Sequence, residues 1–244
     1  MPLVPHTSLT PHILTHTSPN FNFRADDRTP DMIILHYTGM KTGKAAVHHL
    51  RNPKAHVSAH YVVEEDGQVL SLVEEDKRAW HAGLSFWAGE TDINSASIGI
   101  EIVNPGHEFG YRAFPERQMQ AVTDLVLDIK ARHGIADARI LGHSDVAPAR
   151  KQDPGELFDW KGLAAAGAGL WVNVGTDEAL PDYDLEELQR RLVAFGYGLA
   201  VTGEMDIVTN QVITAFQRHW VPKFLTGDAC GMTRATLDKL LDKL

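Results

Sequence analysis

Hydrophobic positions follow two rhythms along the chain, and the change between them marks its organisation. Asp31-Met-Ile-Ile-Leu-His36-Tyr-Thr is a continuous apolar run that ends in polar residues, the pattern of a strand covered on both faces. Ser97 to Val103 is a second such run, apolar nearly throughout except for Glu101. Between them, Thr42 to Arg51 predicts a short helix stopped by Asn52-Pro53, and His56 to Glu65 with Gln68 to Val73 predict two strands joined at Asp66-Gly67. Pro115 to His133 is the clearest helix, with Val122, Leu125, Val126 and Ile129 in one stripe, Pro115 in the first turn and Gly134 at the stop. Arg139 to Leu141 predicts a short strand feeding a stretch, Gly142 to Gly155, too rich in Pro and Gly to predict a helix. Alternating strands and helices predict an α/β domain with a mixed β-sheet flanked by helices.

The rhythm becomes purely helical after a compositional break at Ala164–Gly169 and again at Glu178–Asp182. Three short amphipathic helices follow, lined by Leu185, Leu188, Leu192 and Phe195, by Val208, Val212 and Phe216, and by Leu237, Leu240 and Leu241, with breaks at Gly196, Gly203 and Gly227. At the other end, five prolines within residues 1–30 predict an extended arm, whose His6, His12 and His16 read as exposed and without function. The expected division is an arm over 1–20, a main domain over 21–165, a linker over 166–181 and a small three-helix C-terminal domain over 182–244.

Charge and cysteine content narrow the function classes. With 23 basic against 32 acidic residues the net charge is −9, which argues against a phosphate-tracking nucleic-acid binder and a polybasic membrane patch. No apolar run is long enough to span a bilayer. Met1 to Pro19 has neither a basic start nor a secretory apolar core, so no export signal is visible. The single Cys230 excludes a disulfide framework within the chain and a cysteine-rich structural metal site. Oligomeric state is left open.

The candidate chemistry lies at the ends of the apolar runs. His36 closes the first; His143 and Asp153 stand ten positions apart in the Pro/Gly-rich stretch, with Lys151 beside Asp153. Two imidazoles and one carboxylate make the three-ligand set of a catalytic zinc with one open position, although His36 taken alone reads rather as a core histidine satisfied by backbone. Glu101 interrupts an apolar strand, where an unpaired carboxylate is expensive to bury. It is either a structural partner of a cation or a general base in a cleft, and the second reading is preferred.

Five pieces then occur in order: Ile33-Ile-Leu-His36-Tyr-Thr, Val57-Ser-Ala-His60-Tyr-Val-Val, Ala79-Trp-His-Ala-Gly83, Ser97-Ile-Gly-Ile-Glu-Ile-Val-Asn104, and Gly142-His-Ser-Asp-Val-Ala-Pro148 through Lys151-Gln-Asp153-Pro-Gly155. Together, over roughly residues 20–165, they resemble the zinc-dependent N-acetylmuramoyl-L-alanine amidases, the type-2 amidase family that shares its fold with peptidoglycan recognition proteins. The tail, from Leu188-Gln-Arg-Arg-Leu192 to Thr233, more loosely resembles an appended peptidoglycan-binding domain, as in the two-domain members of the AmiD type. The resemblance implies one Zn2+ per chain on His36, His143 and Asp153, Glu101 as the acid/base carboxylate and Lys151 as the catalytic lysine. It further implies substrate contacts at His56, Trp80, His81, Ala82 and Asn104; Arg150 joins them on charge alone, near a stem-peptide carboxylate. His60 and Tyr61 are expected in the core or behind the site, and Trp80 and Trp87 either as a glycan platform or as core. The implied substrate is peptidoglycan or a muropeptide, cut at the amide between N-acetylmuramic acid, intact or anhydro, and L-alanine during wall turnover. A non-catalytic recognition module and a peptidase acting within the stem peptide are the alternatives. A wall-binding tail implies the cell envelope, in tension with the absence of a visible leader.

Overall fold

The computed structural model describes residues 13–175 and 178–244. The chain begins with β1 (Ile13–Thr15), β2 (Phe21–Phe23), β3 (Met32–Tyr37), α1 (Gly43–Leu50), β4 (Tyr61–Val63), β5 (Val69–Ser71) and β6 (Lys77–Ala79). It continues with α2 (Ile93–Ala96), β7 (Ser97–Ile102), α3 (Gly106–Phe109), α4 (Glu116–His133), β8 (Ile140–Gly142), α5 (His143–Val146) and α6 (Trp160–Ala165). The last three helices are α7 (Leu185–Phe195), α8 (Ile207–Trp220) and α9 (Gly231–Leu241).

Six strands form one mixed sheet in the order β1-β5-β4-β7-β3-β8, antiparallel only between β4 and β5. Side chains alternate across it, and both faces are covered. Ile33 and Leu35 of β3 and Ile98, Ile100 and Ile102 of β7 pack under Val122, Leu125, Val126 and Ile129 of α4. Met32 and Ile34 face the other way, into a core shared with Leu188, Leu192 and Phe195 of α7, Val212 and Phe216 of α8, and Leu237 and Leu240 of α9. Continuous apolar runs in β3 and β7 are therefore what a sheet buried on both sides requires.

Several expectations shift in detail. The arm supplies two short strands: β1 pairs with β5, and β2 pairs antiparallel with β6. His6 and His12 lie outside the described residues; His16 is half-buried and its N–H donates to the Ser71 carbonyl at 2.8 Å. The strand expected from His56 begins only at Tyr61, because His56 adopts left-handed backbone (φ 53°) after a turn at Pro53–Ala55. A four-residue helix, α5, interrupts the Pro/Gly-rich stretch; the Asp145 carboxylate accepts the Gly142 N–H at 2.7 Å and closes that turn. Val208 is exposed, and Ile213 takes its place beside Val212 in the core. Where described, the segment expected as a linker is pinned on both sides: Leu170 O accepts from Trp220 Nε1 at 3.2 Å, and Asn173 O from Lys239 Nζ at 3.0 Å.

Candidate active site

The functional side chains gather at the C-terminal ends of neighbouring parallel strands, where open α/β sheets place ligands. His36 is near the end of β3, and the strand on one side of it brings Glu101 of β7 directly into register. On its other side β8 pairs Gly142 with Leu35, so His143 emerges next to His36. Asp153 is drawn back to the same point by its carbonyl, which accepts the Ser144 N–H at 2.9 Å. The result is a compact triangle: His36 Nδ1 to His143 Nδ1 is 2.9 Å, His36 Nδ1 to Asp153 Oδ2 2.9 Å, and His143 Nδ1 to Asp153 Oδ2 3.0 Å. All three side chains are buried.

Hydrogen bonds behind the triangle fix what it offers. The Ser97 hydroxyl donates to the Ile93 carbonyl, so its oxygen accepts from His81 Nε2 at 3.2 Å. His81 Nδ1 is then an acceptor and takes the Nε2 proton of His36 at 3.0 Å. His143 likewise spends its Nε2 proton on the Ala82 carbonyl at 3.0 Å. Both Nδ1 atoms consequently turn lone pairs toward a carboxylate oxygen, with no proton left between three acceptors. A divalent cation is what such a donor set fits, and two imidazoles with one carboxylate are suited to zinc.

The electrostatics agree. Burial, reinforced by the neighbouring His143, pulls His36 down to about 4, which leaves it neutral and free to ligate at pH 7. Burial would raise Asp153, but the adjoining imidazoles reverse this and hold its carboxyl well below the usual range. Glu101 moves the opposite way: desolvation first, then the charge of Asp153, push it well above an ordinary glutamate, with Lys151 offsetting part. Glu101 opens partly onto the site, yet its Oε2 is shielded from solvent and has no hydrogen-bond partner among the described residues.

These groups floor a cavity of about 380 Å3, whose walls include His49, Leu50, Trp80, Arg150 and Lys151. The ammonium of Lys151 makes no ion pair or hydrogen bond among the described residues and faces this space. Trp80 is held by its indole N–H on Asn22 Oδ1 at 2.7 Å and lies roughly parallel to the exposed ring of His56, 6.4 Å between centroids.

Other expected substrate contacts are committed elsewhere. His81 borders the cavity but stands behind His36, with both ring nitrogens engaged, by His36 and by Ser97. Ala82 is buried and presents its carbonyl to His143 and Arg150. Asn104 lies off the cavity, its amide donating to the Arg112 carbonyl at 2.7 Å and accepting the Gly106 N–H at 3.1 Å. Arg150 lines the cavity, but its guanidinium is engaged by the carbonyls of Ala82 and Leu84. Trp87 is core, packed edge-on against Phe195 and Tyr197, and is no platform. His60 is buried behind the site as expected, with Nδ1 accepting the Gly99 N–H at 2.9 Å and Nε2 3.1 Å from Arg24.

Three supporting residues escaped the sequence reading. Ser97 orients His81. Asn94 Oδ1 accepts both the His81 and Ala82 N–H groups, at 3.0 and 2.8 Å, and thereby aims the Ala82 carbonyl. Buried Arg24 donates to the carbonyls of Asn94, Ser95 and Ser97 at 2.9–3.1 Å, fixing the segment that carries both. One signal was available: Ser97, Gly99 and Glu101 alternate with isoleucines and share a face. A Cβ on Gly99 would collide with the His81 ring, so that glycine is the seat of His81.

Comparison with known proteins agrees with this geometry. Residues 26–156 match the family model described as N-acetylmuramoyl-L-alanine amidase. The chain is 36% identical over 209 residues to the N-acetylmuramoyl-L-alanine amidase AmiD of Escherichia coli K12, covering 77% of this chain and 74% of that protein. It is similar to the solved complex of E. coli AmiD with anhydro-N-acetylmuramic acid-L-Ala-D-γ-Glu-L-Lys, with a TM-score of 0.79, 32% identity, and 88% and 90% of the two chains covered. It also matches AmpDh3 of Pseudomonas aeruginosa in complex with an anhydromuramic pentapeptide, with a TM-score of 0.79, 29% identity and 100% and 99% coverage. On the strength of that family match and of a relative aligned over most of both chains, this protein belongs to the N-acetylmuramoyl-L-alanine amidase family.

Proposed function

We propose that this protein hydrolyses the amide joining the lactyl group of N-acetylmuramic acid, intact or anhydro, to the L-alanine of the stem peptide, with one zinc ion on His36, His143 and Asp153. The observation that carries the reading is a converging three-acceptor cluster beside Glu101, which is in register with His36 and whose Oε2 has no partner among the described residues. When bound, zinc supplies Lewis acidity, polarising a carbonyl and acidifying water.

The chain's own residues do the rest. Glu101 takes a proton from the attacking water, which its raised affinity for protons favours, and returns it to the alanine nitrogen as the C–N bond breaks. Water's oxygen stays on the lactyl carbon, giving a carboxylate and a free amine. Lys151, uncommitted beside the cavity, is placed to stabilise the oxyanion that develops on the carbonyl oxygen. The Trp80 ring in the cavity wall, with the His56 ring parallel to it, offers stacking surface to the sugar. Residues 21–165 form the hydrolytic domain in this reading, and 182–244 a peptidoglycan-binding helical unit joined through 166–181.

The test is digestion of purified sacculi and of soluble anhydro-muropeptides, with mass spectrometry of the products. Stem peptides beginning in a free L-alanine amine are expected, and none after chelation. Cuts inside the stem peptide would make the protein a peptidase; binding without any release would make it a recognition module.

A further inference from the structure

Two residues from the metal ligand His143, the carboxylate of Asp145 is fully buried and surrounded by three donors. The Gly142 N–H reaches Oδ2 at 2.7 Å and belongs to the same turn. The other two come from far along the chain: His219 Nδ1 at 2.7 Å on Oδ2, and the Tyr197 hydroxyl at 3.1 Å on Oδ1. Neither is needed by the chemistry proposed above. Among the described residues His219 Nε2 has no partner, so the ring proton resides on Nδ1 and is donated to Asp145. Its ring is sandwiched between Trp160 and Trp220, with centroids 3.6 Å away on each side and interplanar angles of 20° and 6°. The C-terminal helices are also fastened to the loop between β6 and α2: Ala88 N–H donates to the Gly196 carbonyl at 2.7 Å, and the Trp87 ring lies where a side chain on Gly196 would stand.

We infer that the C-terminal helices are part of the metal site: His219 and Tyr197 are positioning residues that hold Asp145, and through it the four-residue turn that presents His143. The inference rests on the zinc reading proposed above. Its physical basis is that a carboxylate out of reach of water must be met by donors. Remove the His219 N–H and Asp145, with no exposure to solvent, is left short of one. A turn of only four residues then relieves that deficit by rotating, and His143, on the same turn, moves with it. Ligand-orienting partners of this kind are typically worth about 10–100-fold in metal affinity.

The experiment uses the full-length chain and measures zinc affinity by competition with a chromophoric chelator, together with the visible spectrum of the Co2+-loaded protein and a thermal melt. His219→Phe keeps the aromatic sandwich and deletes the donor. It is expected to weaken zinc binding about 10–100-fold and to alter the cobalt spectrum while remaining folded. His219→Asn restores an N–H near the lost Nδ1 and is expected to recover most of the affinity. Tyr197→Phe, the milder variant should His219→Phe fail to fold, is expected to lose several-fold. Leu237→Ala, in the core of α9 and away from Asp145, is expected to melt earlier and bind zinc as the wild type does. Zinc affinity in folded His219→Phe or Tyr197→Phe within about twofold of wild type would overturn the inference, as would an equal loss in His219→Asn or in Leu237→Ala. Failure of the wild-type chain itself to bind zinc would instead remove the proposed function, and this inference with it.

Discussion

Replacing Glu101 by glutamine separates a catalytic carboxylate from a structural one, because the two readings predict opposite signs for stability. Glu101 Oε2 has no partner among the described residues, and burial with the nearby Asp153 raises the proton affinity of its carboxyl. A group whose folded-state pKa is raised destabilises the fold above its unfolded-state value, 4.5, and the loss grows as pH climbs toward the folded value. Glutamine keeps the buried polar atoms and removes only the charge, whose burial without a partner costs about 1–3 kcal/mol more than that of a neutral group. Glu101→Gln, measured on chelated protein, is therefore expected to gain about 1–3 kcal/mol at pH 8, or about 2–12 °C in Tm for a chain of this size. At pH 4 the wild-type side chain is itself neutral, and the gain is expected to vanish. Turnover on soluble muropeptide should fall about 10²–10⁴-fold, with zinc retained. Parallel melts at the two pH values, zinc content and initial rates decide the matter. A drop in Tm at pH 8, or turnover close to wild type, refutes the reasoning: the first would mean Glu101 is a stabilising ion-pair partner, the second that the proton travels by another route.

Four further outcomes follow from the same geometry. His81→Phe keeps a ring over Gly99 but removes the acceptor for His36 Nε2, and chelator competition should show zinc held about 10–100-fold more weakly. Lys151→Ala should lower kcat about 10²–10³-fold with zinc content unchanged, checked by metal analysis beside steady-state rates. Zinc at a hundred times its dissociation constant should raise stability by about 2.7 kcal/mol, seen as about 5–11 °C in the melt of the metal-freed protein. At the far end of β5, the Glu75 carboxylate accepts from Tyr61, Arg132 and His133, which overcome its burial and lower it to about 2. A depressed carboxyl stabilises above pH 4.5 and loses that contribution as pH falls toward about 2. The full shift corresponds to about 3 kcal/mol, and the solvent around half-exposed Arg132 reduces this to about 1–2. Acid titration of Glu75→Gln should show that much less loss of stability across this window.

Within the sequence itself, the apolar runs ending at His36 and interrupted by Glu101 determined two strands buried on both faces. The stripe of Val122, Leu125, Val126 and Ile129 determined the helix that covers one of those faces. Such features are legible because periodicity depends only on neighbours along the chain. The family was legible too, since five short motifs in fixed order carry more information than any one of them. What lay beyond reach was every consequence of two distant segments touching. That His81 stands behind His36 was hidden because its contact with Ser97 and its seat on Gly99 join the loop after β6 to β7. Trp87 and Trp80 look alike as letters; one is core and the other a cavity wall because α7 packs against the first. Asp145 reads as one more acid in a loop, and only the docking of α8, which delivers His219 from 74 residues away, gives the turn that carries His143 a donor from outside itself. Patterning along a chain sets which faces must be buried, whereas the orientation of a polar side chain is settled by whichever donor or acceptor the folded chain brings within about 3 Å of it.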